Sequence, residues 1–287
     1  MDYYGSIEAG GTKFVCAVAD ETLTIIKRIS LPTMSPEETL KQVFDFFDEY
    51  ELKAMGVGSF GPIDVNRKSN TYGYITSTPK HGWRNVDLLG RLKERYDIPI
   101  AWTTDVNAAA YGEMHLGAGK ETQSCIYLTV GTGIGGGAVV NGAVLEVFSH
   151  PEMGHITVQR YPNDKLESTC PYHDNCLEGL AAGPALEKRT GTKGQSLPSN
   201  HEVWEIEAFY LAQALLNYTL VLSPEKIILG GGVMKQQQLF PLIRESLKVQ
   251  VGGYVSLPPL EEYIVGCDLG DDSGTIGCLL LAKKKEG

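Results

Sequence analysis

The sequence has no excess of basic residues: 25 Lys and Arg stand against 35 Asp and Glu, a formal net charge of −10. A field of that sign repels polyphosphate backbones and anionic lipids, which excludes a nucleic-acid partner and a membrane-surface partner. Long apolar runs are also missing. No segment approaches the roughly 20 residues that a membrane span needs, and the opening Met1-Asp2-Tyr3-Tyr4-Gly5 lacks the basic stretch and apolar run of an export signal. The expected location is cytoplasmic. Cysteine is scarce, 6 in 287 residues, and in a reducing compartment that argues for free thiols or a bound metal rather than a disulfide framework. Low-complexity stretches are absent. With a hydrophobic fraction of 43% and a charged fraction of 21%, the chain buries a sizeable core and is not disordered.

Glycine is plentiful instead: 33 of 287 residues, about 11% against a usual ~7%. Its clusters sit inside an α/β pattern. Ile7, Phe14 to Val18 and Thr24 to Ile29 form short β-branched runs separated by turn signals, which predicts three antiparallel strands. Ser35-Pro36-Glu37-Glu38 supplies an N-cap, a helix-starting proline and a capping-box glutamate, with Leu40, Val43, Phe44 and Phe47 at helical spacing. Ala54 to Gly58 and Pro99 to Trp102 predict buried strands, with a helix starting near Asp105. The opening pattern then returns: Leu128 to Val140 repeats the strand, glycine turn and strand of Ile7 to Val15. Trp204 to Leu222 reads as a long helix, Lys226 to Leu229 as a buried strand, and another helix is expected to begin near Gln236. The pattern predicts an α/β protein of two duplicated lobes with a cleft between them. Residues 1–117 are assigned to the N-terminal lobe and 118–287 to the C-terminal lobe, with the C-terminal helix packing back on the first.

Three glycine turns call for an explanation. Gly10-Gly11-Thr12-Lys13, Gly131-Thr132-Gly133 and Gly230-Gly231-Gly232 each offer bare backbone, which polyphosphate binding uses. Known phosphate fingerprints do not fit. Gly131 to Gly136 runs into strand-like Ala138-Val139-Val140 where a dinucleotide fold requires a helix, and Gly11 stands where a P-loop requires lysine. A single turn of this kind is explained by hairpin geometry alone. Three in a duplicated frame point to a nucleoside triphosphate.

These residues resemble the ROK family of sugar kinases, within the actin-like, ribonuclease H-like superfamily, over essentially the whole chain. Glu8-x-Gly10-Gly11-Thr12-Lys13 is similar to the first phosphate loop, Gly131-Thr132-Gly133 to the second and Leu229-Gly230-Gly231-Gly232 to the adenosine-side loop. His150-Pro151-Glu152-Met153-Gly154-His155 and Cys170-Pro171-Tyr172-His173-Asp174-Asn175-Cys176-Leu177-Glu178-Gly179 resemble the bacterial fructokinase branch. The chain departs from the family at Glu8, where Asp is usual, at His173, where Cys is usual, and at Thr104, where Asn is common.

His155, Cys170, His173 and Cys176 supply two imidazoles and two thiolates, a set that suits tetrahedral zinc with no open position and hence a structural role. Such a zinc orders the loop carrying Glu152 and Glu178. Those two glutamates flank the cluster and are expected to reach sugar hydroxyls, the resemblance gives His155 both zinc and sugar contact, and Gly61 and Pro62 are expected to shape a substrate-side loop, though a simple turn explains them equally. Position alone leaves Asp105 either a helix N-cap or a carboxylate at the mouth of a sheet. The match of Asp105-x-Asn107-Ala108-Ala109 to the family's catalytic segment implies the general base.

The resemblance thus implies ATP- and Mg²⁺-dependent phosphorylation of a hexose, most simply D-fructose to fructose 6-phosphate, by a homodimer holding structural zinc. A glucokinase or mannokinase is the nearest alternative. A sugar-sensing regulator of the same family is the non-enzymatic one, but strand character beginning near Tyr3 is expected to leave no room for a DNA-binding extension.

Overall fold

The computed structural model describes residues 2–146 and 148–286. Two compact units are present: one comprises Met1–Gly117, Ala143–Pro151 and Leu269–Gly287, the other Ala118–Gly142 and Glu152–Asp268.

In the first unit, β1 (Tyr3–Ala9), β2 (Lys13–Ala19) and β3 (Ile25–Pro32) form an antiparallel meander. Helix α1 (Pro36–Phe47) follows, started by a capping box between Ser35 and Glu38, and it buries Leu40, Val43, Phe46 and Phe47. Strand β4 (Leu52–Ser59) then pairs parallel with β1. Short strands β5 (Tyr74–Ile75) and β6 (Val86–Asp87) lead to α2 (Leu88–Arg95), and β7 (Ile100–Thr104) turns directly into α3 (Asp105–Leu116). The sheet order is β3-β2-β1-β4-β7. On one face, Phe14, Phe47, Met55, Ile75, Trp83 and Leu92 lie in a single core cluster. Trp83 anchors it, stacking near Phe14 and Phe60 while its Nε1–H donates to the Met34 carbonyl at 2.8 Å.

The chain returns to this unit with β10 (Ala143–Val144) and with the C-terminal helix α9 (Ser273–Glu286). Helix α9 lies against α3, β1 and β4. Glycine makes that approach feasible: a Cβ at Gly56 of β4 would fall 1.9 Å from the Cys278 carbonyl oxygen, and one at Gly277 would fall 1.7 Å from that of Ala108.

The second unit opens with the hairpin β8 (Cys125–Val130) and β9 (Ile134–Val140). Helices α4 (Leu177–Ala181), α5 (Gly183–Thr190) and α6 (Val203–Leu222) precede β11 (Lys226–Gly230), which pairs parallel with β8. Helix α7 (Leu239–Val251), α8 (Leu260–Tyr263) and β12 (Ile264–Gly266) complete it, with β9, β8, β11 and β12 adjacent in that order. Each unit is thus an antiparallel hairpin continued by parallel strands. The helix expected near Gln236 starts at Leu239, after a single 3₁₀ turn at Val233–Lys235. No helix among the described residues is long and apolar enough to cross a membrane.

Candidate active site

Between β1 and β2 the Gly10 N–H donates to the Lys13 carbonyl at 2.9 Å, and Thr33 pins the turn from β3 by donating from Oγ1 to the Gly10 carbonyl at 2.7 Å. A Cβ on Gly10 would meet the Lys13 carbonyl oxygen at 2.7 Å, so the hairpin itself requires that glycine. Gly11 is different. A Cβ there would meet nothing within 4 Å, and its φ lies outside the left-handed region. The same contrast recurs in the second unit. A Cβ on Gly133 would meet the Glu178 carboxylate at 2.7 Å, Gly230 packs against Tyr127 and Cys267, and Gly231 is needed for its φ of +90°. Gly131 and Gly232 meet no such obstruction. In each turn, therefore, one glycine is unaccounted for by packing, and bare backbone at such places is what an approaching phosphate uses. Thr12 and Lys13 are exposed beside Gly11.

Glu8 lies half-buried two residues before the first turn. Burial raises its pKa, while the Thr275 hydroxyl, donating at 3.2 Å, and the nearby Arg28 and Lys13 charges oppose the rise. A Cβ on Gly274 would touch its carboxyl at 2.7 Å, so the start of α9 is shaped around the longer Glu arm.

Asp105 sits where β7 turns into α3. The cap of that helix is Thr104, whose Oγ1 accepts the Asn107 N–H at 3.1 Å. Asp105 is the first helical residue, with Oδ1 accepting the Val106 N–H at 2.9 Å. Thr104 is thereby committed to the backbone, and the Asp105 carboxylate stands in the first turn of the helix. The corner packs tightly on β4, since a Cβ on Gly58 would lie 3.2 Å from the Asp105 Cα. In the loop after β4, the Pro62 carbonyl accepts from the Thr76 N–H at 2.8 Å and the Thr76 hydroxyl at 3.0 Å, and the Ile63 N–H donates to His150 Nε2 at 3.1 Å. These contacts fix the loop at Pro62 and Ile63.

In the second unit, Glu152 is exposed ahead of a 3₁₀ turn at Met153–His155, whose Met153 and Gly154 are buried against β9. His155 presents its two ring nitrogens to different groups: Nδ1 lies 3.8 Å from Cys170 Sγ, and Nε2 lies 3.8 Å from Glu178 Oε1. Glu178, in the first turn of α4, uses its other oxygen to accept the Ile134 N–H of the second glycine turn at 2.9 Å. Cys176 caps α4, with Sγ accepting the Gly179 N–H at 3.4 Å.

His155, Cys170, His173 and Cys176 bring their donor atoms within 4.8 Å of one another, with Cys170 Sγ to His173 Nδ1 at 3.6 Å. Tetrahedral zinc with bonds of 2.0–2.3 Å needs ligand separations of about 3.3–3.8 Å, so the quartet fits that ion after little contraction. Backbone N–H groups of Tyr172 and Gly179 point at the two sulfurs, as outer partners of metal thiolates do. Burial, with Cys170 adjacent, pushes the Cys176 thiol up to about 11, so a cation is what would hold that sulfur as a thiolate.

Two residues not assigned to the site from the sequence also belong to this description. His150 anchors the Gly61-Pro62 loop, and Glu146 touches the corner that bears Asp105. A Glu after Leu145 in a loop carries no sequence signal of burial. A cavity of about 720 Å³ in the second unit, lined by Thr157, Arg160, Asn175, Gln213, Asn217 and Gln250, contains none of the expected site residues.

Residues 4–285 match the family model described as ROK family. The chain is 52% identical to a fructokinase from Pediococcus pentosaceus over 279 residues, covering 97% of both proteins. It is 46% identical to a fructokinase from Streptococcus mutans over 287 residues, covering 98% of this chain and 97% of that one. Among solved structures it is similar to a ROK hexokinase from Thermus thermophilus, with 27% identity and a TM-score of 0.82 over 99% of this chain and all of that one. A glucokinase from Streptomyces griseus, crystallised with glucose and AMPPNP, shares the fold at 24% identity and a TM-score of 0.76, over 98% of this chain and 99% of that one. The architecture is accordingly α/β with duplicated actin-like, ribonuclease H-like units.

Proposed function

The chain belongs to the ROK family, and on that premise we propose that it is an ATP-dependent fructokinase that converts D-fructose to fructose 6-phosphate, with Asp105 as general base. The observation that carries the reading is similarity at 46–52% identity, over nearly the full chain, to proteins named fructokinase. The local geometry supports the roles. Phosphoryl transfer to an alcohol needs positioned donors for the phosphates and a carboxylate to take the hydroxyl proton. Backbone at Gly10, Gly11, Gly131 and Gly133, with Thr12, Thr132 and Lys13, is assigned to the ATP phosphates, and Gly230, Gly231 and Gly232 to the adenosine side. Asp105, at the start of the helix after β7, accepts the proton of the sugar hydroxyl as its oxygen bonds the γ-phosphorus and the bond to the departing ADP breaks.

Glu152, His155 and Glu178, with the loop at Gly61 and Pro62, are assigned to the sugar. Structural zinc on His155, Cys170, His173 and Cys176 would hold the first three in register; it supplies order, not chemistry. Mg²⁺ accompanies the nucleotide and takes oxygen donors, of which Glu8 offers one in the first unit. The protein acts in the cytoplasm as a homodimer.

An ADP-release assay across D-fructose, D-glucose and D-mannose tests the proposal. Fructose is expected to show the highest kcat/KM. A higher value for glucose or mannose would reassign the substrate, and absence of turnover with every sugar would leave a sensing role instead.

A further inference from the structure

Glu146 belongs to none of the motifs discussed above, and its surroundings are unusual for a loop glutamate. Its Oε1 accepts the hydroxyl proton of Thr103 and also the Asn107 Nδ2–H, the latter at 3.3 Å. Thr103 is the penultimate residue of β7, and Asn107 lies in the first turn of α3. The donors therefore stand two residues before and two residues after Asp105. Both are buried, with exposures of 3% and 0%, so losing the shared acceptor leaves them without it in a place that bulk water reaches poorly. One carboxylate oxygen thus ties the end of the strand to the start of the helix across the residue between them.

The segment that carries Glu146 is itself anchored. Four residues further on, His150 accepts the Ile63 N–H through Nε2, and the stretch Ala143–Pro151 packs with the first unit although the chain on either side belongs to the second. Burial raises the Glu146 pKa, opposed by the two donors and by the nearby His150 and Arg67. The group has been brought to this corner at a desolvation cost that a solvated loop glutamate does not bear.

We infer that Glu146 is a positioning residue for phosphoryl transfer: acting through Thr103 and Asn107, it holds the β7–α3 corner that aims the Asp105 carboxylate. The inference rests on Asp105 being the base. What Glu146 supplies is a fixed acceptor. A glutamine carbonyl oxygen supplies the same acceptor without the charge, whereas alanine supplies none. The effect belongs on kcat, because a misaligned base slows the chemical step while the substrate contacts remain.

The test compares Glu146→Ala, Glu146→Gln, Thr103→Val, the Glu146→Ala/Thr103→Val pair and Asp105→Asn in the full chain, with fructose and ATP kinetics and thermal melting for each. A displacement of about 1 Å costs up to ~100-fold, so Glu146→Ala is expected to lower kcat about tenfold or more. Both KM values should stay within about twofold, and Glu146→Gln should recover kcat to within about threefold of the parent. Thr103→Val should also be slow, and the pair no slower than Glu146→Ala alone, because the contact that Thr103→Val breaks is one of the two already lost in Glu146→Ala. Parental kcat in Glu146→Ala, a loss confined to KM, or a Glu146→Gln enzyme as slow as Glu146→Ala would overturn the inference. If Glu146→Ala does not fold, Thr103→Val decides: slow turnover supports the role, and parental turnover removes it. Asp105→Asn separates the two ideas. Near-parental turnover in that variant removes the base itself, and the positioning role with it. An inactive Asp105→Asn beside a fully active Glu146→Ala overturns the positioning role alone.

Discussion

Glycine is the residue on which the nucleotide assignment can be separated from folding. Gly10 and Gly11 are neighbours, yet only at Gly10 does the hairpin leave no room, with a Cβ falling 2.7 Å from a backbone oxygen. Gly10→Ala is therefore expected to lower the melting temperature. Gly11→Ala should leave stability unchanged or raise it by about 0.4–1 kcal/mol, since alanine narrows the unfolded ensemble at a compatible conformation. If the bare backbone serves phosphate, the same Gly11→Ala enzyme should show an ATP KM raised about tenfold, the signature of lost ground-state binding. Melting curves and ATP titrations of the two variants check this. An unchanged ATP KM in Gly11→Ala would return the turn to ordinary hairpin geometry.

The crossing of α3 and α9 is made at backbone distance, and it steadies the helix that begins at Asp105. A methyl at Gly277 would fall 1.7 Å from the Ala108 carbonyl, so Gly277→Ala must push the helices apart. Such overpacking costs about 1–3 kcal/mol, and denaturant melts should record a loss of at least that size. Helix α6 offers a second test. Glu207 is fully buried on it, and neither carboxylate oxygen has a hydrogen-bond partner. Burial raises its pKa well above the ordinary value, against the pull of Arg189. A raised folded-state pKa means that stability is fully present below the unfolded value, about 4.3, and is lost as pH rises toward the folded one. Glu207→Gln is expected to melt above the parent at pH 8, with the gap closing toward pH 4.5. A gap that widens on acidification would contradict the buried, proton-holding carboxylate. The elements themselves were largely legible. The capping box of Ser35 and Glu38, the alternating runs of the hairpins and the polar start of α3 are local signals, and they act locally. The start of α7 was not, because the chain after the left-handed Gly231 spends a 3₁₀ turn before the helix begins.

At the scale of the whole molecule, the Cys-His quartet draws on the turn at Met153–His155 and on the loop from Cys170 to Cys176, segments that backbone bonds such as Leu177 N–H to the Ile156 carbonyl at 2.9 Å also join. Zinc that binds only the folded site adds its binding energy to folding. Purified protein should carry about one zinc per chain by metal analysis, as expected for one four-ligand site, and chelation should lower the melting temperature. Metal-free protein with full activity and an unchanged melt would remove the site. The quartet was readable because Cys170-x2-His173-x2-Cys176 is compact in sequence. The contacts of Glu146, and that of His150 within its motif, were not readable, because the partners Thr103, Asn107 and Ile63 lie 39 to 87 residues away and nothing local announces them. For the same reason no local pattern tells that Ala143–Pro151 packs with the first unit. The identity of Thr104 as the α3 cap was likewise hidden, since Thr and Asp cap helices comparably well.

Steady-state turnover of Asp105→Asn with fructose and ATP reaches the centre of the account directly. Loss of a positioned base is worth about 10²–10⁴-fold, so kcat should fall by that factor while the melting temperature and nucleotide binding stay near those of the parent. Phosphorylation of fructose at close to the parental rate by that variant would contradict it.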